Sequence, residues 1–382
     1  MANMIDYLVW RGEFTLAQTP WCPIDALLVA TLSYLNFRGM DDATGWTLEE
    51  ARRLELLEED PESGTFPNRK RTFEAMADSY RFGQCRMHHL IALTDESREM
   101  QFSAMCLDLP DGSMTVAFRG TDNTLIGWKE DFNMAYRPSV PAQEAAAYYL
   151  KRAAESTGRP LRLTGHSKGG NLAVYAASRV AEEIQDRILD IYSFDGPGLS
   201  REMSGQPGNL RIRDRIRSFI PQTSVIGLLM EFYTPYTVVR SNASGIGQHD
   251  PMTWQVYGPR FEELGSIDRS AEVIRDTLHE WLENSPPEER GLFVETMFRY
   301  LESTKATRLS DLTSEKLKSL MGILGGRREV SPEARRVFNR LMAQALTLGV
   351  GNVMERVRPR RDAEAQEEDA GKNQPDEQNG GQ

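Results

Sequence analysis

The periodicity of apolar positions changes several times along the chain. At residues 24–35, Ile24, Leu27, Leu28, Thr31, Leu32 and Leu35 fall on one face of a predicted helix. Two further helices are predicted at 47–60 and 70–82, with Pro67 and Asn68 in the loop between them. From Met87 the pattern becomes that of strands, at 88–93, 101–109 and 114–118, the last two joined by a turn over Pro110, Asp111 and Gly112. An Ala-rich helix at 141–157 then leads to Leu161 and Leu163, which alternate with polar neighbours as a strand would. Asn171 to Ala177 follows with small and apolar residues at helical spacing. A buried strand is predicted at 188–194 and a last one at 235–241. After Ser266 the pattern is helical again, with Ile274, Leu278, Trp281 and Leu282 on one face, a helix start at 285–288 and another at 331–333.

These elements predict an N-terminal helical segment (1–85) packed on an α/β core (86–262), a C-terminal helical region (263–355) and a disordered tail (356–382). The helix at 141–157 joins two strands as a crossover, so the sheet is expected to be mostly parallel, with an antiparallel start. No internal repeat is present.

The strand at 161 and the helix after it are joined by Gly165, His166, Ser167, Lys168 and Gly169, a GxSxG pentapeptide. Strand, sharp turn and helix around such a serine is the setting of the nucleophile elbow of an α/β-hydrolase. A serine on a strained turn needs flanking residues without side chains, so that the helix packs close and the hydroxyl stands clear. A phosphate loop is excluded by order: that motif ends Gly-Lys-Ser/Thr, and here the order is Ser-Lys-Gly-Gly.

Upstream, a strand ends in FRGT at 118–121, followed by GWKEDF at 127–132. Over about residues 100–260 the chain resembles the class 3 lipases. That resemblance implies two oxyanion-hole donors, the backbone N–H groups of Thr121 and Lys168. More specifically, QFSAM (101–105), FRGTD (118–122), GWKEDFN (127–133), GHSKGGNLA (165–173), FDGPG (194–198) and QHDP (248–251) resemble the Mbeg1-like proteins, a bacterial family with the α/β-hydrolase fold and no established substrate.

A nucleophilic serine needs a base and a group to orient it. His249 lies downstream of Ser167 in the chain order of α/β-hydrolases, whereas His166 belongs to the elbow and is expected to point away from the nucleophile, and His279 sits in a later helix. Asp195, at the end of the strand 188–194, is the first choice of acid. Class 3 lipases take their acid from a later strand, and the matching position here is Ser224. Glu231, or an incomplete triad, therefore remains as an alternative. His88 and His89 are adjacent in a strand, which would send them to opposite faces, and they are assigned no chemistry.

Composition narrows the function. Of 382 residues 40% are hydrophobic and 26% charged, with a net charge of -11, which argues against nucleic acid as the main partner. No stretch is apolar enough for a transmembrane helix and none reads as a secretory signal, so a cytoplasmic location is the expectation. Cys22, Cys85 and Cys106 are widely spaced and suggest neither disulfides nor a metal site. The reading is a serine hydrolase, lipase- or esterase-like, acting without metal or cofactor on a small acyl substrate, lipid included. The alternative is a non-catalytic hydrolase fold serving as a scaffold, with a protein partner on the C-terminal helices. The Lys168 side chain would favour anionic substrates only if it faced the pocket.

Overall fold

The computed structural model describes residues 2–303, apart from 40–43, 61–62, 123 and 231–233, together with Arg336. The helical starts at 331–333 and the tail lie outside the described residues.

Among the described residues nine strands form one mixed sheet in the order β1 (Trp46–Thr47), β2 (Arg86–Asp95), β3 (Met100–Asp108), β4 (Met114–Phe118), β5 (Leu161–His166), β6 (Ile188–Phe194), β7 (Ile216–Pro221), β8 (Tyr236–Val239) and β11 (Glu263–Leu264). The pairs from β4 to β8 are parallel; those from β1 to β4 and between β8 and β11 are antiparallel. The strand predicted as the last, β8, is thus followed by β11 on the sheet and by the small ribbon of β9 (Val256–Tyr257) and β10 (Arg260–Phe261). This is the α/β-hydrolase arrangement, with the parallel strands at its centre.

Alternation along β3 shows how the core divides. Met105 and Leu107 point into one buried layer and Ala104 and Cys106 into the other, so the strand is apolar on both faces. The first layer is covered by α1 (Met4–Arg11), α2 (Pro23–Leu32), α3 (Leu48–Arg53) and α4 (Phe66–Ala77). α2 is buried on every side, and Ala26 accepts a 2.9 Å hydrogen bond from Thr164 Oγ1 of β5, which seats the helix under the central strands. Arg81 binds this layer together: its guanidinium meets both Asp25 oxygens, at 2.7 and 2.5 Å, and reaches the carbonyls of Phe14, Thr15, Thr19 and Pro20.

On the other face lie α6 (Pro141–Glu155) and α7 (Lys168–Arg179), with α5 (Leu125–Asn133) beyond them. Short helices α8 (Glu182–Gln185), α9 (Arg201–Ser204) and α10 (Pro207–Ile212) fill the crossovers. α11 (Arg269–Asn284) and α12 (Pro287–Ser303) close an apolar cluster with Leu125 of α5 and Val225. Val225, Leu228 and Met230 are buried there or in adjoining clusters.

One expectation fails in β2. His88 and His89 do not point to opposite faces: the register slips between His88 and Ile91, His89 takes φ +53°, and the two Nδ1 atoms meet at 2.6 Å. A bulge adds a residue to one strand and re-aims its side chains.

Candidate active site

Ser167 stands between β5 and α7 with φ +58° and ψ -134°, a backbone conformation costly for a residue with a side chain. The turn is possible because of what surrounds it. A Cβ on Gly165 would lie 2.1 Å from the Gly169 carbonyl, and one on Gly169 2.0 Å from the Phe118 oxygen, so any side chain at either position would push the helix off the sheet. Ser167 N–H donates to the Phe194 carbonyl at 2.9 Å, tying the elbow to the neighbouring strand.

β6 ends at Phe194, and Asp195 follows with φ +47°, its own N–H bonded to Phe219 at 2.7 Å. Its buried carboxylate accepts from three groups. His249 Nδ1 donates to Oδ2 at 2.6 Å, while Ser224 Oγ and, at 3.2 Å, Gly227 N–H donate to Oδ1. Ser224, which occupies the acid position of the resembled lipases, here hydrogen-bonds the carboxylate that stands one strand earlier. Glu231 lies outside the described residues.

His249 ends the 3-10 turn Gly245–His249 after β8. That turn is fixed by Gln248, whose carbonyl accepts from Trp254 Nε1 at 2.7 Å and whose side-chain oxygen accepts from Thr223 N–H at 2.9 Å. With Nδ1 committed to Asp195, Nε2 of His249 is left for other chemistry. No hydrogen bond joins it to Ser167 Oγ among the described residues.

His166 departs from its expectation. It does not turn away from the site; its ring packs on that of His249 with centroids 4.5 Å apart, and its Nε2 lies 2.7 Å from the His249 carbonyl. Burial, reinforced by the neighbouring His249, holds His166 well below the usual imidazole range, so the ring is neutral. A carbonyl can only accept, so Nε2 carries the hydrogen and Nδ1 is the acceptor, served by Tyr34 O–H at 3.0 Å. Burial also pushes the Tyr34 phenol up to about 12, which keeps that proton in place. Tyr34 and His166 thus hold the backbone that carries His249. Neither had a signal in the sequence, since the first comes from the N-terminal segment and the second was masked by the elbow motif.

On the other side of the serine, Thr121 follows β4 and Lys168 opens α7. Neither backbone N–H donates a hydrogen bond within the described residues, and the Thr121 hydroxyl donates to Asp131 Oδ2 at 2.5 Å. The Lys168 side chain is buried and turned away, with Nζ 3.0 Å from Glu130 and 2.8 Å from the Gln101 carbonyl, so its charge is spent inside the fold. Next to it an apolar pocket is lined by Trp128, Phe132, Leu229, Leu278, Trp281 and Phe293, the last three from the C-terminal helices.

Burial raises the Asp131 carboxyl to about 6 even with Lys168 nearby, and its Oδ1 has no hydrogen-bond partner. The sign follows from proton linkage. Between the ordinary carboxylate value of 3.8 and about 6 the folded protein binds the extra proton, so stability falls as pH rises through that window. Urea unfolding between pH 4 and pH 7 should show this loss, up to about 3 kcal/mol, and Asp131→Asn should lack that component of the slope. An unchanged slope in the variant would place the titration elsewhere.

For metals, the described residues offer one group, His88, His89 and Cys106, with ligand atoms within 4.8 Å of one another. The two imidazoles are hydrogen-bonded to each other, and burial pushes the Cys106 thiol up to about 12. It is remote in sequence from the elbow, on β2 and β3.

Comparison with known proteins finds no curated protein that matches. Among solved structures, the chain is similar to M37 lipase, with 15% identity over 53% of this chain and 68% of that one and a TM-score of 0.35. It is also similar to a fungal lipase in an inhibitor complex, with 16% identity over 45% of this chain and 70% of that one and a TM-score of 0.30. The profile of the Mbeg1-like family matches residues 76–299. That match spans more than half of the 382 residues, and the chain belongs to the Mbeg1-like family.

Proposed function

We propose that the protein is a serine hydrolase that cleaves an acyl ester or thioester through a covalent acyl-enzyme. Ser167 Oγ attacks the carbonyl carbon as His249 Nε2 takes its proton; the tetrahedral oxyanion is bound by the N–H groups of Thr121 and Lys168. As the intermediate collapses, the imidazolium returns the proton to the leaving alcohol or thiol. Water then repeats the sequence on the acyl-enzyme, releasing a carboxylic acid and free Ser167. Asp195 keeps Nδ1 protonated and balances the imidazolium charge. The apolar pocket beside Lys168 accommodates the acyl group.

The observation that carries this reading is the 2.6 Å bond from His249 Nδ1 to buried Asp195, held on a loop whose backbone is fastened to the residue next to Ser167. A scaffold has no use for a carboxylate and imidazole arranged in this way.

Reaction with a fluorophosphonate probe tests it. Wild type should become labelled on Ser167, identified by peptide mass spectrometry, and Ser167→Ala should stay unlabelled. Folded wild type that resists the probe would transfer the case to a binding module.

A further inference from the structure

Two cations near the elbow are not used by the proposed chemistry: Arg69, from α4 of the N-terminal segment, and Arg119, at the end of β4. The Arg69 guanidinium lies over the Tyr34 ring, 3.9 Å from its centroid, and the hydroxyl of that same ring contacts the His166 carbonyl at 3.3 Å. Gly120 passes so close that a Cβ there would sit 2.1 Å from Tyr34 Oη and 2.9 Å from Ser167 Cβ. Arg119 precedes that glycine. Among the described residues its side chain makes a single hydrogen bond, 3.5 Å from Nη1 to Asn36, and its buried Nε has no hydrogen-bond partner.

Arg69 and Arg119, both half-buried, differ from the fully buried cations Arg81 and Lys168. Arg81 is closed by Asp25 at 2.5 Å, and Lys168 by Glu130 at 3.0 Å. Arg69 and Arg119 form no ion pair with a described carboxylate; Asp60 is near both, Asp250 is near Arg69 and Asp122 near Arg119, all beyond ion-pair distance. Burial draws both guanidiniums below the usual arginine range, and Arg119 adds its repulsion at Arg69. Two half-buried like charges that repel each other are stabilised by an anion near both. Guanidinium groups in pairs suit the planar oxygens of a carboxylate or the oxygens of a phosphate.

We propose that Arg69 and Arg119 form an anion-binding subsite beside Ser167 that takes a carboxylate or phosphate group of the substrate. The subsite rests on the hydrolase reading for its link to catalysis. It lies on the Tyr34 and Gly120 side of the serine, while the apolar pocket lies on the Lys168 and Trp128 side. The substrate class that fits is an ester with an apolar acyl group at one end and an anion at the other. Lys168, the cation nearest in sequence to the serine, does not provide this preference because Glu130 neutralises it.

The test compares kcat/KM for matched ester pairs, one arm a carboxylate-bearing nitrophenyl ester against its neutral analogue, the other an acylglycerol phosphate against the acylglycerol. Wild type should prefer the anionic member in one arm, which identifies the anion. That preference should fall by roughly 10- to 100-fold in Arg69→Met or Arg119→Met, and by less in Arg69→Lys or Arg119→Lys, which keep the charge. Preferences that stay within about twofold in both Met variants, or no preference in wild type, overturn the subsite. If wild type neither labels with fluorophosphonate nor hydrolyses any ester, the hydrolase reading has failed, and inorganic phosphate decides the subsite alone. Phosphate should raise Tm in wild type and not in the Met variants, against chloride at equal ionic strength; no rise in wild type overturns the subsite. Circular dichroism shows which variants fold, and a misfolded Met variant is replaced by Arg69→Gln or Arg119→Gln, which also removes the charge.

Discussion

Asp195→Asn should lower kcat on 4-nitrophenyl acetate by about 10⁴-fold at pH 7 while leaving the fold intact. The asparagine oxygen can still accept from Ser224 and Gly227, the two donors that hold Oδ1. What changes is the face toward His249. An amide NH₂ placed 2.6 Å from Nδ1 turns that nitrogen into an acceptor, so the hydrogen moves to Nε2 and the ring can no longer take the proton of Ser167. Ser224→Ala is the graded companion: it removes one donor from the carboxylate without altering the imidazole tautomer, and a loss of about tenfold is expected. Glu231→Gln completes the set. If Asp195→Asn keeps more than a tenth of the wild-type kcat, or Glu231→Gln loses as much as Asp195→Asn was expected to, the orienting role does not belong to Asp195.

The elbow was legible because its cause is local. A strained serine between a strand and a helix requires glycines at fixed offsets, and Gly165 and Gly169 meet backbone atoms at about 2 Å whatever the rest of the chain does. Asp195 was accessible by related logic, from a strand end on the elbow's side of a parallel sheet, and His249 from its place in the chain downstream of Ser167 and Asp195. Ser224 was visible only as a mismatch. Its meaning needed the third dimension, in which the end of β7 delivers a hydroxyl to the carboxylate after β6. Tyr34, Arg69 and His166 were not legible at all. Tyr34 lies 132 positions from the ring it binds, and nothing in the periodicity of its own segment marks the residue just past α2. The placing of His88 and His89 failed for another reason: alternation assumes an unbroken register, and a bulge breaks it without any glycine to announce it.

The N-terminal layer is therefore part of the site, which makes its own stability a functional quantity. Arg81→Met should destabilise the fold by about 3–5 kcal/mol in urea unfolding at pH 7. The side chains of Arg81 and Asp25 are both fully buried, and no water can replace the guanidinium in solvating the carboxylate. Methionine fills much of the volume, so the loss measures the stranded charge and the orphaned carbonyls at 14, 19 and 20 more than a cavity. The single change leaves Asp25 with only Tyr7 O–H at 2.8 Å and Cys22 N–H at 2.9 Å. Adding Asp25→Asn removes the uncompensated charge, so the double variant should be more stable than Arg81→Met alone. Additive losses would mean that the pair is not coupled, and a loss below about 1 kcal/mol would mean that α1, α2 and α4 hold by apolar packing alone. Because α2 delivers Tyr34 to His166, the temperature at which Arg81→Met loses fluorophosphonate labelling should fall in parallel with its unfolding midpoint.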